Sequence, residues 1–187
     1  NRKNTDLEVL KAAIRVTLEK LIRVNKTRVD FAEKFEDLIE SYNVGSRSIE
    51  EQLEEFLKLS RSLGEEQKRH VRENLTQEEL VIFDILTRPS PELTSEERAE
   101  VKRVAKALLQ RVKLLLVLNW RQKASARSQL RLAIEDELDV GLPRAYDPPL
   151  YQSKCSAVFE HVYEAYPDRD RSSSQMPGDG RHSAPPP

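Results

Sequence analysis

Apolar residues along this chain recur at intervals of three and four, the pattern of helices that bury one face. Leu7, Leu10, Ile14, Leu18 and Leu21 put one stripe on a first helix. Phe31, Phe35, Leu38 and Tyr42 repeat it, and Gly45 stops it as a C-terminal cap. Ser48 with Glu51 reads as a capping box, in which each side chain satisfies the other's free backbone N–H. Ile49, Leu53, Phe56 and Leu57 then line a buried face. Gly64 ends that helix, and a shorter one follows over 65–73. Thr76 with Glu79 is a second box, ahead of Leu80, Phe83 and Leu86, before Pro89 and Pro91 break the chain.

Thr94 with Glu97 makes a third box and opens the longest helix, through Val101, Val104, Ala105, Leu108, Val112 and Leu115. Whether it continues past Asn119 or bends stays open. Leu130, Ile134 and Leu138 mark the next helix, stopped at Gly141 and Pro143. Asp147 caps a last helix whose first turn holds Pro148 and Pro149, where missing N–H groups cost least. Leu150, Cys155, Val158, Phe159 and Val162 form its inner face. The expected fold is all-α, an irregular bundle of about seven or eight helices with Leu38, Phe83, Leu108, Ile134 and Phe159 in its core. From Pro167 on, Ser, Gly and Pro dominate and too little apolar surface remains to offset ordering. The chain therefore divides into a helical domain, 1–166, and a disordered Pro/Ser/Gly-rich tail, 167–187. No strand of period two and no fixed repeat appears.

Composition narrows the function. Of 187 residues, 31 are Lys or Arg and 32 Asp or Glu, a net charge of −1, which argues against a surface built wholly for phosphates. A single cysteine, Cys155, rules out an internal disulfide and fits a reducing, cytoplasmic setting. The longest apolar run, Leu114 to Leu118, falls far short of the roughly 20 residues of a membrane span. The first residue is not Met and the chain opens among helix formers, as expected of a piece of a longer protein.

Catalytic chemistry finds no foothold. The five glycines stand apart, so no phosphate loop exists. Glu66-Gln67-Lys68 and Glu100-Val101-Lys102 match a triplet of metal-dependent nucleases, which need it on a strand beside a separate Asp. Here both lie in helical patterns and read as solvated surface. His70, His161 and His182 show no metal spacing, and Cys155, on an apolar stripe, packs rather than reacts. His161 reads as a core or interface histidine. One constellation stands out: Trp120, Arg121, Lys123, Arg127 and Arg131, in a stretch from Asn119 to Leu132 without an acidic residue. Lys123, Arg127 and Arg131 share a helix face in steps of about 6 Å. Three readings stand: a solvated face neighbouring Glu50, Glu51, Glu54 and Glu55 of another helix, a protein-partner surface, or phosphate contacts to nucleic acid. Trp120 is either a core anchor between helices or a stacking platform.

These landmarks together resemble the C-terminal helical domain of the restriction (R) subunit of type I restriction–modification enzymes. The matching pieces are Arg28-Val29-Asp30-Phe31 leading to Tyr42-Asn43, Leu75-Thr76-Gln77-Glu78-Glu79-Leu80 with Phe83-Asp84, and Pro91-Glu92-Leu93-Thr94. Trp120-Arg121, Ala133-Ile134-Glu135, Gly141-Leu142-Pro143, Tyr146-Asp147 and Phe159-Glu160-His161-Val162-Tyr163 follow in order. The agreement spans about Leu7 to Tyr166 and leaves the tail unmatched.

The resemblance implies that the full protein is part of an ATP-dependent type I site-specific deoxyribonuclease, with ATP and Mg as its cofactors. It implies that this domain, with no active site or cofactor of its own, helps fasten the R subunit to the methyltransferase and specificity subunits. DNA would be met through the full complex, and no membrane is involved. The alternatives are a DNA- or nucleotide-contacting helical domain of the same complex, and a free-standing structural bundle of an unrelated family.

Overall fold

A computed structural model describes residues 2–45 and 47–167. It contains α1 (Arg2–Val24), a 3-10 turn (Lys26–Arg28), α2 (Val29–Asn43), α3 (Ile49–Arg72), α4 (Gln77–Thr87) and α5 (Ser95–Leu115). A second 3-10 turn (Trp120–Gln122), α6 (Ala124–Gly141) and α7 (Pro148–Ala165) complete it. Among the described residues there is no strand, as the periodicity predicts. Residues 168–187, nearly all of the expected disordered tail, lie outside the described residues.

The helix boundaries follow local chemistry. Ser48 and Thr76 form complete capping boxes with Glu51 and Glu79. Thr94 accepts from the Glu97 N–H at 3.2 Å, but the return bond of the third box is not made. Asp147 accepts from the Leu150 N–H, with prolines filling the first turn of α7.

Gly64 does not end a helix: α3 runs through it without interruption, from Ile49 to Arg72. A glycine inside a helix costs only about 1 kcal/mol relative to alanine. One common stop is a left-handed residue with a closing pair of hydrogen bonds. Those occur ten residues on, at Asn74 (φ 56°), where the N–H groups of Asn74 and Leu75 return to the carbonyls of Val71 and His70. At 24 residues α3, not the 21-residue α5, is therefore the longest helix. Its buried face also differs from the expected one. Gln52, Phe56, Leu59, Leu63, Glu66 and Arg69 point inward, while Leu57 is 40% exposed.

The apolar interior forms two clusters. Leu7, Ile14, Leu18 and Leu21 of α1 meet Phe35 of α2 and Phe56, Leu59 and Leu63 of α3. Leu38 packs against that cluster but is only half-buried, short of the core position expected for it. Phe83, Leu108, Ile134 and Phe159 belong to the second cluster, which draws on α4 to α7. There α5 and α6 lie antiparallel and so close that a Cβ on Gly141 would stand 2.4 Å from Val104 Cγ2. Past Leu115 the chain does bend. Asn119 takes a left-handed conformation (φ 56°), and the turn after it feeds α6.

Candidate functional site

The cationic constellation gathers on the α6–α7 side of the second cluster. Trp120 is the anchor: it is 1% exposed, its indole N–H donates to the Tyr166 carbonyl at 2.9 Å, and Tyr163 meets it edge-on. Its ring is spent on packing, so the stacking-platform reading falls. Arg121 lies over Tyr163, 5.2 Å from the ring centre, and donates to the Glu164 carbonyl at 3.2 Å. Arg131 lies 3.9 Å from the centre of Phe159, and Phe159 in turn faces Tyr163 at 6.2 Å. Arg127 donates to the Arg121 carbonyl. Lys123, at the N-cap of α6, is exposed.

What holds the three arginines is aromatic surface and carbonyl oxygen, not carboxylate. Among the described residues no Asp or Glu forms an ion pair with Arg121, Lys123, Arg127 or Arg131, although Glu135 lies one turn beyond Arg131 on α6. The expected acidic neighbours are engaged elsewhere: Glu50 with Lys3, Glu51 in its cap, Glu54 with Lys58, and Glu55 with Lys58 and Arg47. The reason is placement. Those glutamates sit at the start of α3, beside α1 and the first cluster.

The sequence reading missed a second polar constellation, at the junction of the two clusters. Arg28 is buried and donates from Nε to Glu66 at 3.0 Å and from Nη1 to the Leu21 carbonyl at 3.1 Å. Arg69 donates to both Glu66 oxygens, at 2.9 and 3.1 Å from Nε, and to both Asp84 oxygens, at 2.9 Å from Nη1 and also from Nη2. Asn25 completes the chain with a 2.8 Å bond to Asp84. Glu66 is therefore not solvated surface. Burial raises its pKa, but hydrogen bonds and charge from Arg69 and then Arg28 outweigh this and hold it below the ordinary value. A signal was present: the apolar spacing Phe56, Leu59, Leu63 continues in register to Glu66 and Arg69, putting charge on the buried face.

The remaining chemistry-bearing residues do not converge. Glu100, of the second triplet, is half-buried on α5. Cys155 is buried, and burial raises its thiol pKa. Burial lowers the pKa of His161, which lines a cleft of about 340 Å³ with Asn25, Lys26, Val81 and Glu164. Lys154 is buried too, donating to the Ile85 and Arg88 carbonyls at the end of α4, both at 2.8 Å. Among the described residues no His, Cys, Asp and Glu group is arranged to hold a metal ion. No described helix is long and apolar enough to cross a membrane.

Comparison with known proteins bears on this arrangement. No solved structure matches the chain. A curated relative from Methanocaldococcus jannaschii, named as the type I restriction enzyme MjaIXP endonuclease subunit, is 27% identical over 133 residues. That match takes in 69% of this chain but only 12% of the relative's length. The family described as type I restriction enzyme HindI endonuclease subunit-like, C-terminal, matches residues 1–167, which include both clusters, the junction and the cationic face. The chain thus belongs to the family of C-terminal domains of type I restriction enzyme endonuclease subunits.

Proposed function

We propose that this domain docks the endonuclease subunit of a type I restriction enzyme onto its methyltransferase core. On this reading the chain does no chemistry itself. DNA translocation and cutting, with their ATP and Mg, belong to the rest of the subunit, and the specificity subunit is met through the assembled complex. The observation that carries the proposal is an apolar knuckle where α5 ends. Leu114 is 84% exposed, Val117 and Leu118 are exposed with it, and a cleft of about 230 Å³ opens alongside, lined by Leu116, Val117, Trp120 and Tyr166 and edged by the Lys113–Glu78 ion pair. Single exposed leucines are ordinary, but three large apolar residues within five positions, beside an open cleft, suit the apolar centre of a protein interface. The buried Trp120 fixes the knuckle's base, so little ordering is lost on binding.

The test is co-elution with the purified methyltransferase complex. The parent chain should bind. Leu114→Ser with Leu118→Ser should weaken binding at least tenfold while leaving the helical spectrum intact, because both side chains already face water. A chain that does not associate, or a double variant that binds like the parent, overturns the proposal.

A further inference from the structure

The cationic face of α6 is distinct from the knuckle and calls for its own occupant. Lys123, Arg127 and Arg131 repel one another along one face of the helix. Lys123 and Arg127 also stand at its N-cap and first turn, where the helix dipole disfavours positive charge. Folding alone gives no reason for this alignment. A neighbouring carboxylate would be the usual remedy, yet Glu135, one turn beyond Arg131 on the same face, makes no ion pair with it, and no other described carboxylate pairs with these cations.

The arginine side chains are nevertheless held in place. Arg131 is laid on Phe159 and Arg121 on Tyr163, while Arg127 is tied to a backbone carbonyl. Arg131 donates no hydrogen bond within the described chain, so its planar fork of N–H groups is positioned and unspent. Such a fork suits a phosphate oxygen pair. Tyr163, still 42% exposed, adds ring surface between the cations.

We propose that the face formed by Arg121, Lys123, Arg127 and Arg131 is a nucleic-acid site that takes the phosphate backbone of DNA. Charge complementarity names the occupant. A phosphate backbone is a regular row of anions, matched by a row of cations repeating every ~6 Å along α6. An acidic protein surface would be expected to bring an apolar centre between the charges; beside these cations Tyr163 and Leu132 expose apolar surface, but the run of exposed apolar residues lies at the knuckle. The face would let a docked domain follow the duplex that the complex holds.

The experiment uses this chain and a fluorescein-labelled duplex of about 30 base pairs, read by anisotropy between about 50 and about 200 mM salt. The parent should bind with a log–log salt slope near −3, as expected for three to four phosphate contacts. Lys123→Gln with Arg127→Gln and Arg131→Gln should weaken binding more than tenfold at low salt and flatten the slope. A variant with Arg127→Lys and Arg131→Lys should keep the slope, because it keeps the charges. If loss of the Phe159 contact unfolds the triple variant, Lys123→Gln with Arg127→Gln should still remove about two slope units. Absence of salt-dependent binding by the parent overturns the proposal. So does a glutamine variant that keeps the parent's slope, or one that loses only the methyltransferase complex, which would identify the face as a seat for an acidic protein. Leu114→Ser with Leu118→Ser should bind the duplex like the parent, so failure of the docking reading and failure of this one are separately visible.

Discussion

Arg69 and Asp84 face each other across the junction of the two apolar clusters, two N–H groups of one meeting both carboxylate oxygens of the other. The pair ties the last turns of α3 to the middle of α4. Because both side chains are buried, neither can turn to water when its partner is removed. Arg69→Leu should therefore cost about 3–5 kcal/mol in urea unfolding, the range for breaking a buried pair from one side. Arg69→Leu with Asp84→Leu should cost clearly less than the two single losses summed, and simple additivity would show that the pair is not coupled.

Acid should unfold the protein by way of the same junction. The Glu66 carboxyl sits below its ordinary value of 4.5, so the unfolded chain binds more protons than the folded one as pH falls through this range. Its contribution is complete above 4.5 and is lost as pH drops through the lowered folded value. His161 acts in the same direction, from 6.5 downward, because burial disfavours its charged form. Stability measured across a pH series should decline on acidification. Glu66→Gln should start lower at neutral pH, since it leaves Arg28 and Arg69 short of an anion, yet fall less steeply in the acid range. A variant whose pH curve runs parallel to the parent's would rule out this origin.

Gly141→Ala should destabilise the second cluster. The added methyl would meet Val104 Cγ2 at 2.4 Å, and Val104 is buried and stiff about its first side-chain torsion. Overpacking of this kind costs about 1–3 kcal/mol. Val104→Ala in the same chain should recover part of the loss, because it removes the opposing methyl. An unchanged melting temperature in Gly141→Ala would mean that α5 and α6 separate more readily than their packing indicates.

Truncations should separate the core positions from the half-buried one. Phe83→Ala, Leu108→Ala and Ile134→Ala should each cost about 2–5 kcal/mol, and Leu38→Ala distinctly less. Equal losses at all four positions would contradict the burial pattern.

The helices were legible in the sequence wherever local chemistry decides: Ser48, Thr76 and Asp147 mark their caps because a side-chain oxygen three positions ahead of a free N–H serves whatever the tertiary fold. Gly64 misled because a glycine's meaning depends on the backbone angle that packing imposes, and Leu63 and Glu66 on either side hold that segment helical. Glu66 misled for a related reason. Its partners are Arg28, 38 residues before it, and Arg69, three after; the apolar register runs on into Glu66, but which cation meets it from the opposing element is set only by the tertiary fold. The cationic face was visible as a stripe, but its aromatic seats on Phe159 and Tyr163 come from α7, which no spacing within α6 could indicate.

The uninterrupted course of α3 has a mechanical consequence. At 24 residues it is about 36 Å long; Phe56, Leu59 and Leu63 seat it in the first apolar cluster, and its last turns reach α4 of the second through the bonds of Arg69 to Asp84, with Glu66 and Arg28 alongside. A hinge at Gly64 would have let the halves swing independently. A continuous strut instead carries a push on α1 to α4 through the buried Arg69–Asp84 joint, so that joint rather than a bend within α3 sets how stiffly the two clusters are linked.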